Sequence, residues 1–405
     1  MPETASTASP LQGRRIVLGV TGGIAAYKAV EVCRRLVDAG AHVAPIMTDG
    51  AQRFVGEVTF SALASEPVQT SLWDEASPIP HTRLGQGADL IVVCPATARL
   101  LGAYAAGISD DLLTATLLAT RAPVVVCPAM HTEMWEHPAV QDNLRVLAGR
   151  GVTIVPPEEG RLAGGDVGAG RLADPARIVA ALEAVLGPDD LAGLDVLVTA
   201  GGTREPIDPV RFIGNRSSGK QGHALADEAA SRGAKVTLVT TVDRPTTGGV
   251  EIVRVATAAE MDAAVRERSA TADVVVMAAA VADFRPDSTA DTKLKKDGGP
   301  PTVTLVPTAD ILGGLVERRR PGQTLVGFAA ETDDVEANAA AKLARKPVDL
   351  LVVNDVSQPG AGFESDTNEV RIMSPSGSTL TVDQRDKRAV ARAVLDAVVA
   401  DRATS

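Results

Sequence analysis

Two consecutive α/β units, each a doubly wound and mainly parallel sheet, are the fold class this sequence predicts. Three observations carry that expectation. The chain has 405 residues, beyond the size at which a single core usually stops growing. Aromatic residues make up only 2% of it while Ala, Val, Leu and Gly abound, which suits aliphatic sheets covered by helices on both faces. A β-rich run, a glycine turn and a helical stretch follow one another twice, from Arg15 and again from Asp195.

Taken in order, residues 1–13 read as a disordered tail rich in Pro, Ser and Thr. Arg15 to Val20 is a strand, Thr21-Gly22-Gly23 a turn, and the following helix runs to about Leu36 before a second strand, Val43 to Met47. The runs Ile91-Val92-Val93-Cys94-Pro95-Ala96-Thr97 and Val124-Val125-Val126-Cys127-Pro128-Ala129-Met130 end alike, which places both Cys-Pro turns on one edge of a parallel sheet. Ligands of open α/β sheets bind beyond the carboxyl ends of the strands, so the Thr21, Thr97 and Met130 turns should converge. The helix Ala176 to Leu186 breaks near Gly187 to Gly193, and there a first domain, 14–187, gives way to a second, 188–405. In the second, Asp195 to Thr199, Lys235 to Thr240, Asp273 to Ala278, Thr324 to Phe328 and Asp349 to Val353 read as strands, and Ala258 to Ser269 as a helix. Arg285 to Val303 turns to Lys, Asp, Gly and Pro and reads as a mobile basic loop. Both halves have the pattern of Rossmann-like or flavodoxin-like units.

Composition narrows the partners. Lys plus Arg total 40 against 51 Asp plus Glu, a net charge of −11 that opposes a nucleic-acid or anionic-membrane surface. Anionic ligands need local basic clusters instead. No twenty-residue apolar span or signal-peptide core occurs, so a cytoplasmic location is expected. Cys33, Cys94 and Cys127 have no C-x-x-C spacing, which points to reduced thiols and to neither a disulfide framework nor a zinc site.

The first half carries a nucleotide signal of limited specificity. Thr21-Gly22-Gly23 opens a helix N-terminus suited to one phosphate, and the absence of G-x-G-x-x-G favours a mononucleotide such as FMN. A tight packing turn explains those glycines equally well. His81, just ahead of the strand Asp89 to Val93, is a candidate acid-base or carboxylate-orienting group, against the reading of an ordinary surface histidine. Pro128 to Trp135, with Met130, His131 and Met134, fits a substrate clamp; a core contact through Met134 and Trp135 is the competing account.

The second half centres on Ser217-Ser218-Gly219-Lys220. Gly214 to Lys220 fits the first seven positions of G-x-x-x-x-G-K-[ST], but Gln221 stands where the Mg²⁺-binding hydroxyl belongs, and the preceding strand ends well before Gly214. The segment is therefore read as phosphate-binding without being a P-loop. Lys293, Lys295, Lys296, Lys342 and Lys346 offer the cations a triphosphate needs, against the reading of a solvated charge run.

On these residues the chain resembles known families. Gly19 to Ala26, His81, Pro95-Ala96-Thr97-Ala98, Ala106 to Leu113 and Pro128 to Trp135 are similar to the homo-oligomeric flavin-containing cysteine decarboxylases, over about residues 14 to 185. The resemblance implies FMN held by Gly22, Gly23, Thr48, Pro95, Ala96 and Thr97, with His81 catalytic and Met130, His131 and Met134 on the substrate. It also implies oxidation of a thiol to a thioaldehyde, loss of the adjacent carboxylate, and return of the electrons by the flavin.

Ala200 to Glu205, Asp208 to Arg211, Asn215 to Lys220, Ala278 to Phe284, Lys293 to Lys296, Gly327 to Thr332 and Asn354 to Val356 resemble phosphopantothenate-cysteine ligase. Together the halves look like the bifunctional ligase and decarboxylase of coenzyme A synthesis. That resemblance implies 4'-phosphopantothenate, cysteine and CTP as substrates, Mg²⁺ with the nucleotide, an acyl-cytidylate from which cysteine displaces CMP, a trimer-based decarboxylase and a dimerising ligase. It puts Asn215 at the acyl group, Lys293 on transition-state charge, and Asp283, Phe328, Lys342, Lys346 and Asn354 on the nucleotide, with Arg211, Ser217, Ser218, Gly219 and Lys220 on substrate. The chain departs from the pattern twice: His131 stands where the decarboxylases usually have Asn, and Gly164 where many carry a cysteine. Cys94 or Cys127 could substitute only if their thiols face the flavin. Two alternatives stay open at this point, a flavin-binding regulatory protein that has lost decarboxylation and a flavoprotein fused to an unrelated nucleotide-binding module.

Overall fold

The computed structural model describes residues 3–4, 9–73, 79–246, 249–295, 302–331, 335–355, 365 and 367–404. The chain divides into two compact units, Ala8–Gly187 and Met1–Thr7 with Pro188–Ser405.

In the first unit five parallel strands lie in the order His42–Met47, Arg15–Val20, Leu90–Ala96, Val124–Pro128 and Thr153–Ile154. Successive side chains point to opposite faces of a strand. Ile16, Leu18 and Val20 accordingly enter one apolar cluster with Val32 and Leu36 of the helix Ala26–Asp38 and Ile178 and Leu182 of the helix Pro175–Leu186. Val17, Ile91 and Val93 enter another, with Leu100 and Leu101 of the helix Ala98–Ala106 and Leu113 of the helix Leu112–Ala119. Two-sided burial is the reason these strands read as unbroken apolar runs.

Cys94 and Cys127 both lie fully buried in the first of these clusters. Hydrogen bonding to Cys94, with burial, pushes the Cys127 thiol well up, and burial pushes Cys33 up to about 11. These are core thiols, so neither stands in for a reactive cysteine.

The first thirteen residues are not a disordered tail throughout. Leu11 is buried to 0% exposure in the first cluster, Ser9 Oγ donates to Glu183 Oε1 at 2.7 Å, and Gly13 N–H donates to the Gly40 carbonyl. Glu3–Thr4 pairs in parallel with Leu380 and Thr381 of the second unit's sheet. A single apolar residue among polar ones is too weak a periodic signal to reveal such anchoring.

The second unit is built on a nine-stranded sheet in the order Glu3–Thr4, Thr379–Asp386, Thr367–Met373, Leu350–Asp355, Thr324–Glu331, Val274–Met277, Asp195–Ala200, Lys235–Thr240 and Val250–Arg254. From Leu350–Asp355 to Val250–Arg254 all pairs are parallel. Thr367–Met373 and Thr379–Asp386 form an antiparallel pair laid against Leu350–Asp355. Reading strands only as far as Val353 misses this pair, although Thr367–Met373 alternates partly and fully buried positions.

Arg285 to Val303 is not wholly a loop. Phe284–Pro286 pairs antiparallel with Leu305–Pro307, strands too short to leave a pattern, while Lys296 and residues 297–301 lie outside the described residues. The helices Lys220–Ser231 and Lys387–Thr404 pack through Ala226, Ala229, Ala391, Val394 and Val398. At the end of the first, Arg232 is 1% exposed; its guanidinium donates to Asp190 at 2.7 and 2.6 Å and to Asp396 at 2.7 Å. Among the described residues no helix is long and apolar enough to cross a membrane.

Candidate active sites

Each unit opens a cavity where its parallel strands end. In the first, the turns after Arg15–Val20, His42–Met47, Leu90–Ala96 and Val124–Pro128 bring Thr21, Gly22, Gly23, Thr48, Thr97, Met130, His131 and Met134 to one cavity of about 1100 Å³. Thr21, 3% exposed, ties two of these turns together: its hydroxyl donates to the Pro95 carbonyl at 2.7 Å and accepts from the Thr97 N–H at 3.2 Å. Thr48 accepts from the Ala51 N–H at 3.3 Å and so caps the short helix Asp49–Gln52 while lining the cavity. Gly22 is there for space, since a Cβ would stand 2.6 Å from the Gly50 carbonyl carbon.

Three residues expected here lie elsewhere. Pro95 and Ala96 belong to the end of the strand Leu90–Ala96, Ala96 at 0% exposure, and do not line the cavity. His81 does not line it either; it stands at the start of the helix Pro80–Gly87 with its Nδ1 buried and lacking a hydrogen-bond partner. The sequence reading also left out the cavity's charges. Lys28 of the first helix, Arg99, and Arg161 and Arg171 from the antiparallel pair Glu158–Arg161 and Val167–Arg171 all line it. Arg99 is engaged by Asp110 at 2.9 Å and Asp111 at 3.2 Å, and Arg171 by Glu158 at 2.8 Å. Among the described residues Lys28 and Arg161 make no ion pair, leaving two positive charges for an anionic ligand.

His131 sits between two carboxylates. Its Nδ1 meets Glu133 Oε2, and its Nε2 lies 3.2 Å from Asp166 Oδ2 on the turn between those antiparallel strands. The hydrogen bond to Glu133 foremost, with the nearby Asp166, pushes the imidazole pKa above its ordinary value.

The second cavity, of about 460 Å³, lies beyond Asp195–Ala200, Val274–Met277, Thr324–Glu331 and Leu350–Asp355. Asn215, Ser217, Ser218, Gly219 and Lys220 form one wall; Asp283, Phe328, Lys342, Lys346 and Asn354 line the rest. Gly219 caps the helix Lys220–Ser231 at φ +71°, a left-handed conformation that glycine adopts without strain. Gly214 ends the strand Phe212–Gly214, paired with Arg204–Pro206, so the segment differs from a P-loop in structure as well as in sequence. Asn215 Nδ2 donates to the Val281 carbonyl at 3.1 Å and the Ala280 carbonyl at 3.4 Å, fixing the turn across the cavity. Lys346 Nζ is 2.7 Å from Asp310, whose exposed carboxyl is held below its ordinary range, against its partial desolvation, by that lysine and the Gly313 N–H. The Asn354 Oδ1, Asn368 Oδ1 and Gln221 Oε1 atoms, all on lining residues, are buried without hydrogen-bond partners.

Arg211 and Lys293 are not part of this lining. Arg211 is held by Asp208 at 3.0 and 2.5 Å and donates to the Leu294 carbonyl at 2.8 Å, and Leu294 N–H donates to Asp208 at 3.2 Å, so Lys293 is exposed on a segment clipped to that turn. No cluster of three or more His, Cys, Asp or Glu suited to a metal occurs among the described residues.

Comparison with known proteins matches this division. A family model described as "Flavoprotein" matches residues 4–187, and one described as "DNA/pantothenate metabolism flavoprotein C-terminal domain" matches residues 191–401. The chain is 50% identical over 403 residues to the Coenzyme A biosynthesis bifunctional protein CoaBC of Mycobacterium tuberculosis (strain ATCC 25618 / H37Rv), covering 95% of this chain and 96% of that one. It is 46% identical over 398 residues to the protein of the same name from Bacillus subtilis (strain 168), covering 96% and 98%. Against that from Escherichia coli (strain K12) identity is 45% over 396 residues, covering 96% and 97%. A solved C-terminal domain of a Coenzyme A biosynthesis bifunctional protein CoaBC is 36% identical, with a TM-score of 0.46, covering 54% of this chain and 100% of that one.

Proposed function

The chain belongs to the family of bifunctional coenzyme A biosynthesis proteins, and from that premise we propose how its two cavities divide the work. It is a bifunctional enzyme, a phosphopantothenate-cysteine ligase and a phosphopantothenoylcysteine decarboxylase. The observation that carries the division is the presence, in each unit, of one cavity at the carboxyl ends of parallel strands, where α/β sheets bind ligands.

Flavin as FMN fits the first cavity. Its volume of about 1100 Å³ accommodates a ligand of that size, the Gly22 turn leaves no Cβ in the way, and Lys28 and Arg161 supply charge for phosphate. When bound, the flavin supplies the two-electron chemistry that turns the substrate's carboxylate into a leaving group. The chain's own residues orient the substrate: Met130 and Met134 give it apolar contact, and His131 faces it with a polar ring.

The second cavity suits CTP. Lys342 and Lys346 carry charge for the triphosphate, the Ser217 to Lys220 segment meets phosphate, and the Asn354 oxygen accepts from an amino group such as that of cytosine. Asp283 and Phe328 complete the nucleotide contacts, and Asn215 meets the phosphopantothenate acyl group. The carboxylate of 4'-phosphopantothenate takes CMP from CTP with release of pyrophosphate, and the amine of cysteine then displaces CMP. Mg²⁺ would enter with the nucleotide, since no cluster of three or more His, Cys, Asp or Glu suited to a metal occurs among the described residues. The site is cytoplasmic and the enzyme a homo-oligomer. The test is turnover: purified protein given 4'-phosphopantothenate, CTP and cysteine should be yellow and should form 4'-phosphopantetheine and carbon dioxide. A colourless protein would remove the flavin reading, and product formation without CTP would remove the nucleotide.

His81 fits this scheme through a second copy of the chain. It lies outside its own cavity with an unpartnered, buried Nδ1. His81→Asn should abolish decarboxylation while flavin and ligation remain. Mixed oligomers of His81→Asn with a variant disabled at His131 should then regain part of the lost activity, because one intact site can form between them. No recovery on mixing would confine His81 to its own subunit.

A further inference from the structure

The decarboxylation assigned above requires a proton, and among the described residues that one chain places around its own first cavity, with His81 of a second copy standing apart from this set, one is suited to deliver it. This inference rests on that reading. The sum of the reaction is R–CH(COO⁻)–CH₂SH + H⁺ → R–CH₂–CH₂SH + CO₂. The bond to the carboxyl carbon breaks, its electron pair stays on the substrate carbon, and a C–H bond forms there with a proton. A bound flavin would supply reversible two-electron chemistry with no net redox change over the turnover, so the proton is the only net addition.

The ionisable residues described around the cavity are Tyr27, Lys28, Arg99, Arg161, Arg171, Asp49, Asp110, Asp111 and His131. Arginine, lysine and tyrosine hold their protons too tightly at neutral pH, and ordinary aspartates have already lost theirs. Histidine is the type whose ordinary range spans neutrality. His131 also has the geometry of an acid held ready. Glu133 fixes the ring through Nδ1, while Asp166, on the turn between Glu158–Arg161 and Val167–Arg171, lies 3.2 Å from Nε2. Gly164 leaves the approach to that nitrogen open: a Cβ there would lie 3.4 Å from Nε2 and 3.3 Å from Asp166 Oδ2.

We propose that His131 is the acid that protonates the substrate carbon vacated by the carboxylate, with Glu133 orienting its ring and Asp166 keeping Nε2 protonated until the substrate takes its place. The neutral ring then regains its proton from solvent. Glu133 and Asp166 are the charges against the imidazole, and both favour its charged form, with desolvation of the ring opposing them; Arg161 and Arg171 line the same cavity. Because the ring works while protonated and its pKa is raised, turnover should hold at low pH and fall as pH rises through that pKa.

The test uses the full-length, flavin-loaded enzyme with 4'-phosphopantothenoylcysteine. In His131→Gln, thiol product should fall at least about 100-fold, in line with the loss of a general acid. Carbon dioxide should still appear once per flavin, and the flavin absorbance should stay bleached, because the substrate is stranded after losing its carboxylate. Asp166→Asn should move the alkaline limb of the pH profile down, together with the His131 ring titration followed by NMR without substrate. If His131→Gln does not retain flavin, that paired shift decides the matter. Product at the parent rate, loss of carbon dioxide release with flavin retained, or an NMR shift without a matching shift of the limb would each overturn the proposal. A colourless parent enzyme would instead overturn the flavin reading.

Discussion

Replacing Arg232 with alanine should cost the second unit about 3 kcal/mol of stability, read as a lower urea midpoint at unchanged slope, while the flavin of the first unit stays bound. Arg232 is among the largest fully buried side chains, and its three charged hydrogen bonds reach Asp190 and Asp396, which lie far apart in the sequence. Removing it leaves a void at the end of the helix Lys220–Ser231 and two carboxylates facing each other without their cation. The Asp396 carboxyl is already held above its ordinary range, by burial foremost and by Asp190, with Arg232 opposing. A carboxyl whose folded pKa is raised weakens the fold as pH rises above its unfolded pKa, and loss of Arg232 raises it further. The deficit should therefore shrink as pH falls and the carboxylates take up protons. A loss under about 1 kcal/mol, or one that does not change with pH, would reduce the cluster to an ordinary surface pair.

Gly22→Ala should weaken flavin binding by about 5- to 150-fold in a fluorescence titration, the equivalent of about 1–3 kcal/mol of overpacking. The new Cβ would stand 2.6 Å from the Gly50 carbonyl carbon and 2.7 Å from its Cα, and both atoms belong to backbone that cannot rotate aside. Either the Thr21 turn or the helix Asp49–Gln52 must move, and both border the cavity. At Gly23 the nearest atom to a new Cβ is Thr97 Cγ2 at 3.7 Å, an ordinary contact. Flavin-free Gly23→Ala should therefore melt like the parent, and flavin-free Gly22→Ala below it. Equal melting and equal affinity in Gly22→Ala would show that the close approach of the two turns does not shape the cavity.

Much of this architecture is legible in the sequence. The central parallel strands and the helices between them announce themselves because burial on two faces demands unbroken apolar runs, and each run is local. The convergence of the Thr21, Thr97 and Met130 turns follows from the same logic, since parallel strands end on one edge. Short strands such as Phe284–Pro286 and the pair Glu158–Arg161 with Val167–Arg171 were not legible, because three to five residues with glycines and charges hold no period. With the second of these went Arg161 and Arg171, two of the cavity's cations.

Residue order over a few positions was enough to give the fold class, the family resemblance and the turns that converge at the first cavity. Tertiary structure alone decided which charges meet. It brought Asp166 to His131, Lys346 to Asp310, and Asp190 and Asp396 to Arg232, it kept His81 and Lys293 out of the cavities, and it turned Cys94 and Cys127 into the core. The physical reason is that a charge interaction depends on distance and burial, and both are set by the order of strands in a sheet and the angle of helices upon it, quantities that no local stretch of sequence contains.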